Sequence, residues 1–232
     1  MGGDGHFFRQ LEPAGITFAE LKGKGHYGRP VQYKKYETNG VGFRTPSKKI
    51  ELYCSLAEML GYDPLPYHQE PPESPYSQPE LAKRYPYVIS TGGRMQPYFN
   101  SEFRNIPSLR RQHPWPLVEI SRETAENLGI KTGDWVWIES PRGRIKQKAR
   151  LTSQDPRVVH VSYGWWYPEM PGPEYGVWES NANVLTNDEP PHCPAMGTYQ
   201  LSGLLCTIYK VDNGEYTPES MISGTRHGKE AP

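Results

Sequence analysis

Tyr85-Pro-Tyr-Val-Ile-Ser-Thr-Gly-Gly-Arg94, followed by Asn100-Ser-Glu-Phe-Arg-Asn105, decides the reading of this chain. It is a short β-prone run that ends in a glycine turn. A basic side chain and a polar cluster with a second arginine come next. Glycine lets backbone N–H groups approach an anion closely, and such a turn can form a nest for phosphate oxygens. Arg94 and Arg104 would add planar, permanently charged forks for the same oxygens.

Around this segment, residues 85–211 have the texture of one compact, mainly β domain with short helices. Tyr87-Val-Ile-Ser-Thr91 is the first strand, and Pro107 to Gln112 a short helix with proline in its first turn. Pro116 to Ile120 reads as a strand. Ser121 then caps a helix that Gly129 closes. Trp135 to Glu139 and Gly143 to Leu151 pair through Ser140-Pro-Arg-Gly143 as a hairpin. The second of these strands sets Ile145, Gln147 and Ala149 against Arg144, Lys146, Lys148 and Arg150. That alternation predicts one buried face and one basic, solvated face. Arg157 to Ser162 and the run ending at Val211 complete five or six short strands, the pattern of a closed or nearly closed barrel.

Residues 1–84 read as an N-terminal arm and proline-rich connector. The arm has at most one short helix near Phe18 to Lys22, a strand over Phe43 to Tyr53, and helical turns at Ser55 to Leu60 that stop at Gly61. Pro64, Pro66, Pro71, Pro72, Pro75 and Pro79 make the following stretch an extended linker. Residues 212–232 read as a flexible tail. In composition, 35% apolar residues with 24 Pro and 23 Gly exclude a helical bundle. Lys plus Arg and Asp plus Glu balance at 26 each, so no global field favours nucleic acid or an anionic membrane. Cys54, Cys193 and Cys206 contain no C-x-x-C, which argues against an iron–sulfur cluster or structural zinc within the chain. No apolar run reaches the roughly 18 residues of a membrane helix, and the N-terminus lacks a signal-peptide profile. The chain reads as soluble. These features do not separate cytoplasm from periplasm, and the cytoplasm is the preferred reading.

Taken together, several blocks resemble the C-terminal domain of the molybdopterin oxidoreductases, the dimethyl-sulfoxide-reductase-like superfamily. They are Phe43-Arg-Thr-Pro-Ser, Ile50-Glu-Leu-Tyr, Asp63-Pro-Leu-Pro, Ser90-Thr-Gly-Gly-Arg94 with Ser101-Glu-Phe-Arg-Asn105, and Val118-Glu-Ile with Gly133-Asp. Further along come Glu139-Ser-Pro-Arg-Gly-Arg-Ile145, Gly164-Trp-Trp166, Trp178-Glu-Ser-Asn-Ala-Asn-Val-Leu-Thr186 and Gly203-Leu-Leu-Cys206. The resemblance implies a double-psi β-barrel with an extended N-terminal arm. Such a barrel closes over a molybdopterin guanine dinucleotide that holds molybdenum or tungsten. It nominates Thr91, Gly92, Gly93, Arg94, Ser101 and Arg104 for the dinucleotide, and Asn181, Asn183 and Thr186 for a pterin. Trp165 and Trp166 would wall the cofactor. Asn suits this role because its amide both donates and accepts, as a heterocycle edge does.

The resemblance also implies what is supplied elsewhere. In the family, the metal-ligating residue, most other pterin contacts and, in many members, an iron–sulfur cluster come from earlier domains. The chain is therefore expected to be a fragment or separate subunit that does not turn over substrate alone. Its partners would be the remaining domains or catalytic subunit, together with an iron–sulfur electron-transfer subunit. Two departures stand out: Asn100 where many relatives carry His, and Lys48 where they often carry Gly. The alternative is a non-catalytic β-barrel module that binds a protein or glycan through the Tyr- and Trp-rich loops at 163–178. A stand-alone hydrolase lacks any nucleophile in an elbow or triad context. His160 reads as a core histidine, His113 and His192 as surface residues, and Cys206 as packing.

Overall fold

The computed structural model describes residues 10–28, 32–37, 40–93 and 95–223. The chain falls into two compact units, Met1–Tyr67 and His68–Pro232. In the first, helix α1 (Phe18–Lys24) opens with a capping box. Thr17 Oγ1 accepts from the Glu20 amide at 3.2 Å, and the Glu20 carboxylate accepts from the Thr17 amide at 2.8 Å. Helix α2 (Ser55–Met59) is followed by Gly61 at φ +80°.

Phe43 to Tyr53 is not the strand expected from its sequence. The Phe43 amide donates to Lys48 O at 2.9 Å, and Thr45 Oγ1 donates to Lys49 O at 2.6 Å, which closes a turn. Gly42 and Lys48 sit at φ +66° and +60°. Lys48 therefore occupies the left-handed region where glycine costs nothing, at the position where the family resemblance expects glycine.

The second unit opens with helix α3 (Pro79–Arg84) and then builds a six-stranded closed barrel: β1 (Tyr87–Gly93), β2 (Leu117–Ser121), β3 (Trp135–Ser140), β4 (Gly143–Thr152), β5 (Val158–Ser162) and β6 (Leu204–Lys210). The strand order is β1-β5-β2-β4-β3-β6, returning to β1. β1·β5 and β2·β4 are parallel and the other pairs antiparallel. This is the double-psi barrel expected. Inward-facing side chains fill it, Ile145 and Ala149 of the alternating β4 among them: with Val118, Val136, Ile138, Val159 and Val161 they lie in one buried cluster. Gln147 shares that interior and is satisfied there. Its amide donates to Ser162 O (2.8 Å) and Ser180 O (3.0 Å) and accepts from the Ser162 amide (2.9 Å). Helices α4 (Pro107–Arg110) and α5 (Arg122–Asn127) fall where predicted, and Ser121 Oγ accepts from the Thr124 amide at 3.0 Å.

The basic face of β4 is only half solvated. Lys146 is fully enclosed, with Nζ 4.2 Å from the Trp137 ring centroid and 3.3 Å from that of Tyr216, and it donates to Tyr216 O at 2.9 Å. Burial lowers its pKa to about 8. Lys148 pairs with Glu219 at 2.6 Å. The cover comes from the segment read as a tail, which is not free of the barrel as far as Ser223. Trp135 and Trp137 donate their indole N–H groups to Glu219 (3.2 Å) and Glu215 (2.7 Å), and Pro218–Ser223 forms helix α7 after α6 (Val177–Ser180). The aromatic neighbours on β3 turn a lysine stripe into a cation–π layer. Among the described residues no helix is long and apolar enough to cross a membrane.

Candidate functional site

β1 and β5 run parallel, so their C-terminal ends lie side by side and the loops that leave them meet. Near these ends the pairing slips: Ser90 faces His160, and the next aligned pair is Gly93 with Ser162. β1 thus carries one extra residue, a bulge at Thr91–Gly92, which frees local backbone from the ladder. Thr91 is tied down, its hydroxyl donating to Leu201 O at 3.1 Å and its amide to Ser202 Oγ at 3.4 Å. Gly92 is exposed, its φ lies outside the left-handed region, and a Cβ built on it would meet nothing within 4 Å. Packing does not require glycine there. The bare backbone faces open space. Arg94, the partner expected for this turn, lies outside the described residues.

The loop after β1 is stitched to the loop after β5. Tyr163 OH donates to Asn100 Oδ1 at 2.7 Å, and the Trp166 indole donates to Ser101 O at 2.6 Å. Asn100 adopts φ +51°, a region an Asn enters more readily than most residues, so the departure from His fits the backbone. Gly164 approaches Ser101 closely, since an added Cβ would lie 3.5 Å from it.

Arg104 is not the exposed fork that its sequence position suggests. It has no exposed surface, and it donates from Nη1 to Asn100 O (3.0 Å) and from Nη2 to Tyr163 O (3.4 Å). Its guanidinium lies 4.9 Å from the Tyr98 ring centroid and 4.7 Å from that of Trp165. Among the described residues no carboxylate pairs with it and Nε has no partner, and burial lowers its pKa to about 10. It holds the Asn100–Arg104 loop from beneath and lends it an uncompensated positive charge.

Trp165 is likewise enclosed and packs edge-on to Tyr98 and Tyr167, so it is a floor and presents no wall to a ligand. Trp166 is the partly exposed member of the pair. On the far side, Asn181 spends its amide on Trp165 O (3.3 Å) and accepts from the Asn183 amide (3.0 Å), while Thr186 Oγ1 donates to Asn183 O (3.1 Å). Asn183 is exposed, and no protein group bonds its side-chain amide among the described residues. Ser101, Arg104, Trp165, Trp166 and Asn181 are thus linked to one another through the loops that leave β1 and β5. Two layers are visible: Gly92, Ser101, Trp166 and Asn183 at the surface, and Thr91, Arg104, Trp165, Asn181 and Thr186 bracing them.

Sequence reasoning missed His113. It is half-buried, lies edge-on to Tyr98 and tilted against Trp165, and lines a cleft of about 290 Å³ together with His160, Glu119 and Arg150. His160 belongs to this outer wall, not to the core. Burial, then the charges of Arg150, Arg104 and Arg110, lower the His113 pKa to about 4. Between that value and the unfolded value near 6.5, the unfolded chain takes the proton and the native one does not. Stability should therefore fall as pH drops from 6.5 towards 4, by on the order of 2 kcal/mol from this group. Urea denaturation at pH 4.5 and 7 should show a smaller acid loss in His113→Phe than in the parent. Equal losses would remove His113 from this role.

Residues 88–202 match the sequence model of the molydopterin dinucleotide binding domain. These residues belong to that domain family. Acetylene hydratase of Syntrophotalea acetylenica is 35% identical over 208 residues, which cover 87% of this chain and 28% of the hydratase. Dopamine dehydroxylase of Eggerthella lenta is 37% identical over 186 residues, 77% of this chain and 17% of that enzyme. The solved structure of acetylene hydratase from Pelobacter acetylenicus superposes with a TM-score of 0.75 at 33% identity, covering 87% of this chain and 28% of that one. The chain thus spans less than a third of the length of each of these relatives. Its barrel is the part of the family that binds the dinucleotide, which favours that reading over the protein- or glycan-binding module.

Proposed function

We propose that this chain closes over the phosphates and pterin of a molybdopterin guanine dinucleotide in a molybdenum or tungsten oxidoreductase and is not catalytic by itself. The observation that carries this reading is the bulged, unobstructed backbone at Gly92, together with the buried Arg104 guanidinium, which has no carboxylate partner among the described residues. Both features fit a pyrophosphate: bare N–H groups can approach it, and a desolvated positive charge favours an anion nearby. Arg94 supplies a direct fork, whereas Arg104 acts from behind through the Asn100–Arg104 loop. The exposed Asn183 amide suits a heterocycle edge, with Asn181 and Thr186 fixing its backbone. Trp166 offers the flat wall, and Trp165 supports it.

When bound, the metal held by the pterin supplies the reaction chemistry, and its protein ligand comes from outside this chain. Partners are accordingly the remaining domains or catalytic subunit, with an iron–sulfur subunit as electron partner. A relative named as a hydratase and another named as a dehydroxylase indicate that the substrate is chosen elsewhere in such enzymes. The test is fluorescence titration of the chain with the metal-free, oxidised pterin guanine dinucleotide. Arg94→Ala should weaken binding at least about tenfold, as loss of a charged phosphate contact does. Binding as tight as the parent's would remove the phosphate assignment.

A further inference from the structure

Glu73 lies in the proline-rich stretch that composition makes a linker, yet its side chain is buried among polar partners. Its carboxylate accepts from Arg142 Nη1 (2.6 Å), Arg142 Nη2 (3.1 Å) and the Leu205 amide (2.7 Å). Its own backbone exchanges two hydrogen bonds with the Gln200 side chain, at 3.0 and 2.8 Å. Arg142, from the β3–β4 turn, has one further donor in use: Nε reaches Leu185 O at 2.8 Å. Ser140 Oγ donates to the same carbonyl at 3.3 Å. Leu185 sits between Asn183 and Thr186, in the segment assigned above to the pterin.

A lone guanidinium in a turn would sample many rotamers. A bidentate carboxylate fixes its plane and thereby aims Nε at the one carbonyl. We infer that Glu73 and Arg142 are positioning residues, through which the connector's seating on the barrel sets the presentation of residues 181–186 to the cofactor. This rests on the proposed function and adds to it a determinant outside the ligand-facing loops. The relay is short: connector carboxylate, turn guanidinium, Leu185 carbonyl, Asn183 amide. Glu73→Gln removes the charge and sets an NH₂ group against arginine donors. Arg142→Lys keeps the charge but cannot span both Glu73 and Leu185.

The readout uses two ligands on the full chain, guanosine diphosphate and the oxidised, metal-free pterin dinucleotide. Both substitutions should weaken the dinucleotide about tenfold, the loss typical when a supporting hydrogen-bond partner is removed. Affinity for guanosine diphosphate, held at the Gly92 end, should change less than about twofold, and amide exchange should accelerate at 182–187. A merely structural role would lower both affinities together. Equal losses for both ligands, or no loss for either, would overturn the inference. Arg142→Lys keeps the test open if Glu73→Gln does not fold. A parent chain that binds neither ligand would overturn the cofactor reading, and this inference with it.

Discussion

Gly92→Val should leave the barrel as stable as the parent, within about 0.5 kcal/mol, while it lowers dinucleotide affinity by roughly a hundredfold or more. The separation of the two effects follows from the bulge. Gly92 lies outside the left-handed φ region, and a Cβ there meets no protein atom within 4 Å, so a β-branched side chain enters a strand conformation it favours. The same branched side chain would occupy the space a pyrophosphate needs in order to approach the Gly92 backbone. Thermal melting and fluorescence titration of one preparation read both halves. Unchanged affinity would mean that nothing lies against this backbone in the bound state, and the phosphate site would have to be sought elsewhere.

Trp165→Ala should be the most damaging single truncation, at about 3–5 kcal/mol, the range for a buried aromatic replaced by alanine. Trp165 joins Tyr98, Tyr167 and Met170 in a layer under the site, with Arg104 and Arg110 over its ring at 4.7 and 5.2 Å. Its removal would leave Arg104 buried with one aromatic face fewer and loosen Asn181, which donates to the Trp165 carbonyl. Small domains hold only about 5–15 kcal/mol in total, so the variant should be largely unfolded in mild urea. A measured loss below about 1 kcal/mol would show that this layer does not brace the site.

The barrel was legible because β4 alternates apolar and polar residues against basic ones, because β2, β3 and β5 are short β-prone runs, and because turn residues separate them. Phe43 to Tyr53 misled because its β-prone composition carries no mark of the two left-handed positions, Gly42 and Lys48, that fold it into a turn. The basic face of β4 was misread for a different reason. Its cover, Glu215 to Glu219, lies about seventy positions away, and periodicity within one strand cannot register such a partner. At the site, the residue types were legible and their depth was not. Arg104 and Trp165 sit in motifs that suggest ligand contact, but loop closure puts both beneath the surface. His113 stood beside a proline with no local signal of burial. Only the ring packing of Tyr98 and Trp165 reveals it.

Because β6 returns to β1, the six described strands close on themselves and leave no open sheet edge. Another polypeptide cannot zip onto such a wall by extending its ladder. Any recognition of this barrel by another polypeptide surface has to be written in side chains and loop shapes, which makes association selective by default and guards against clumping through its strands.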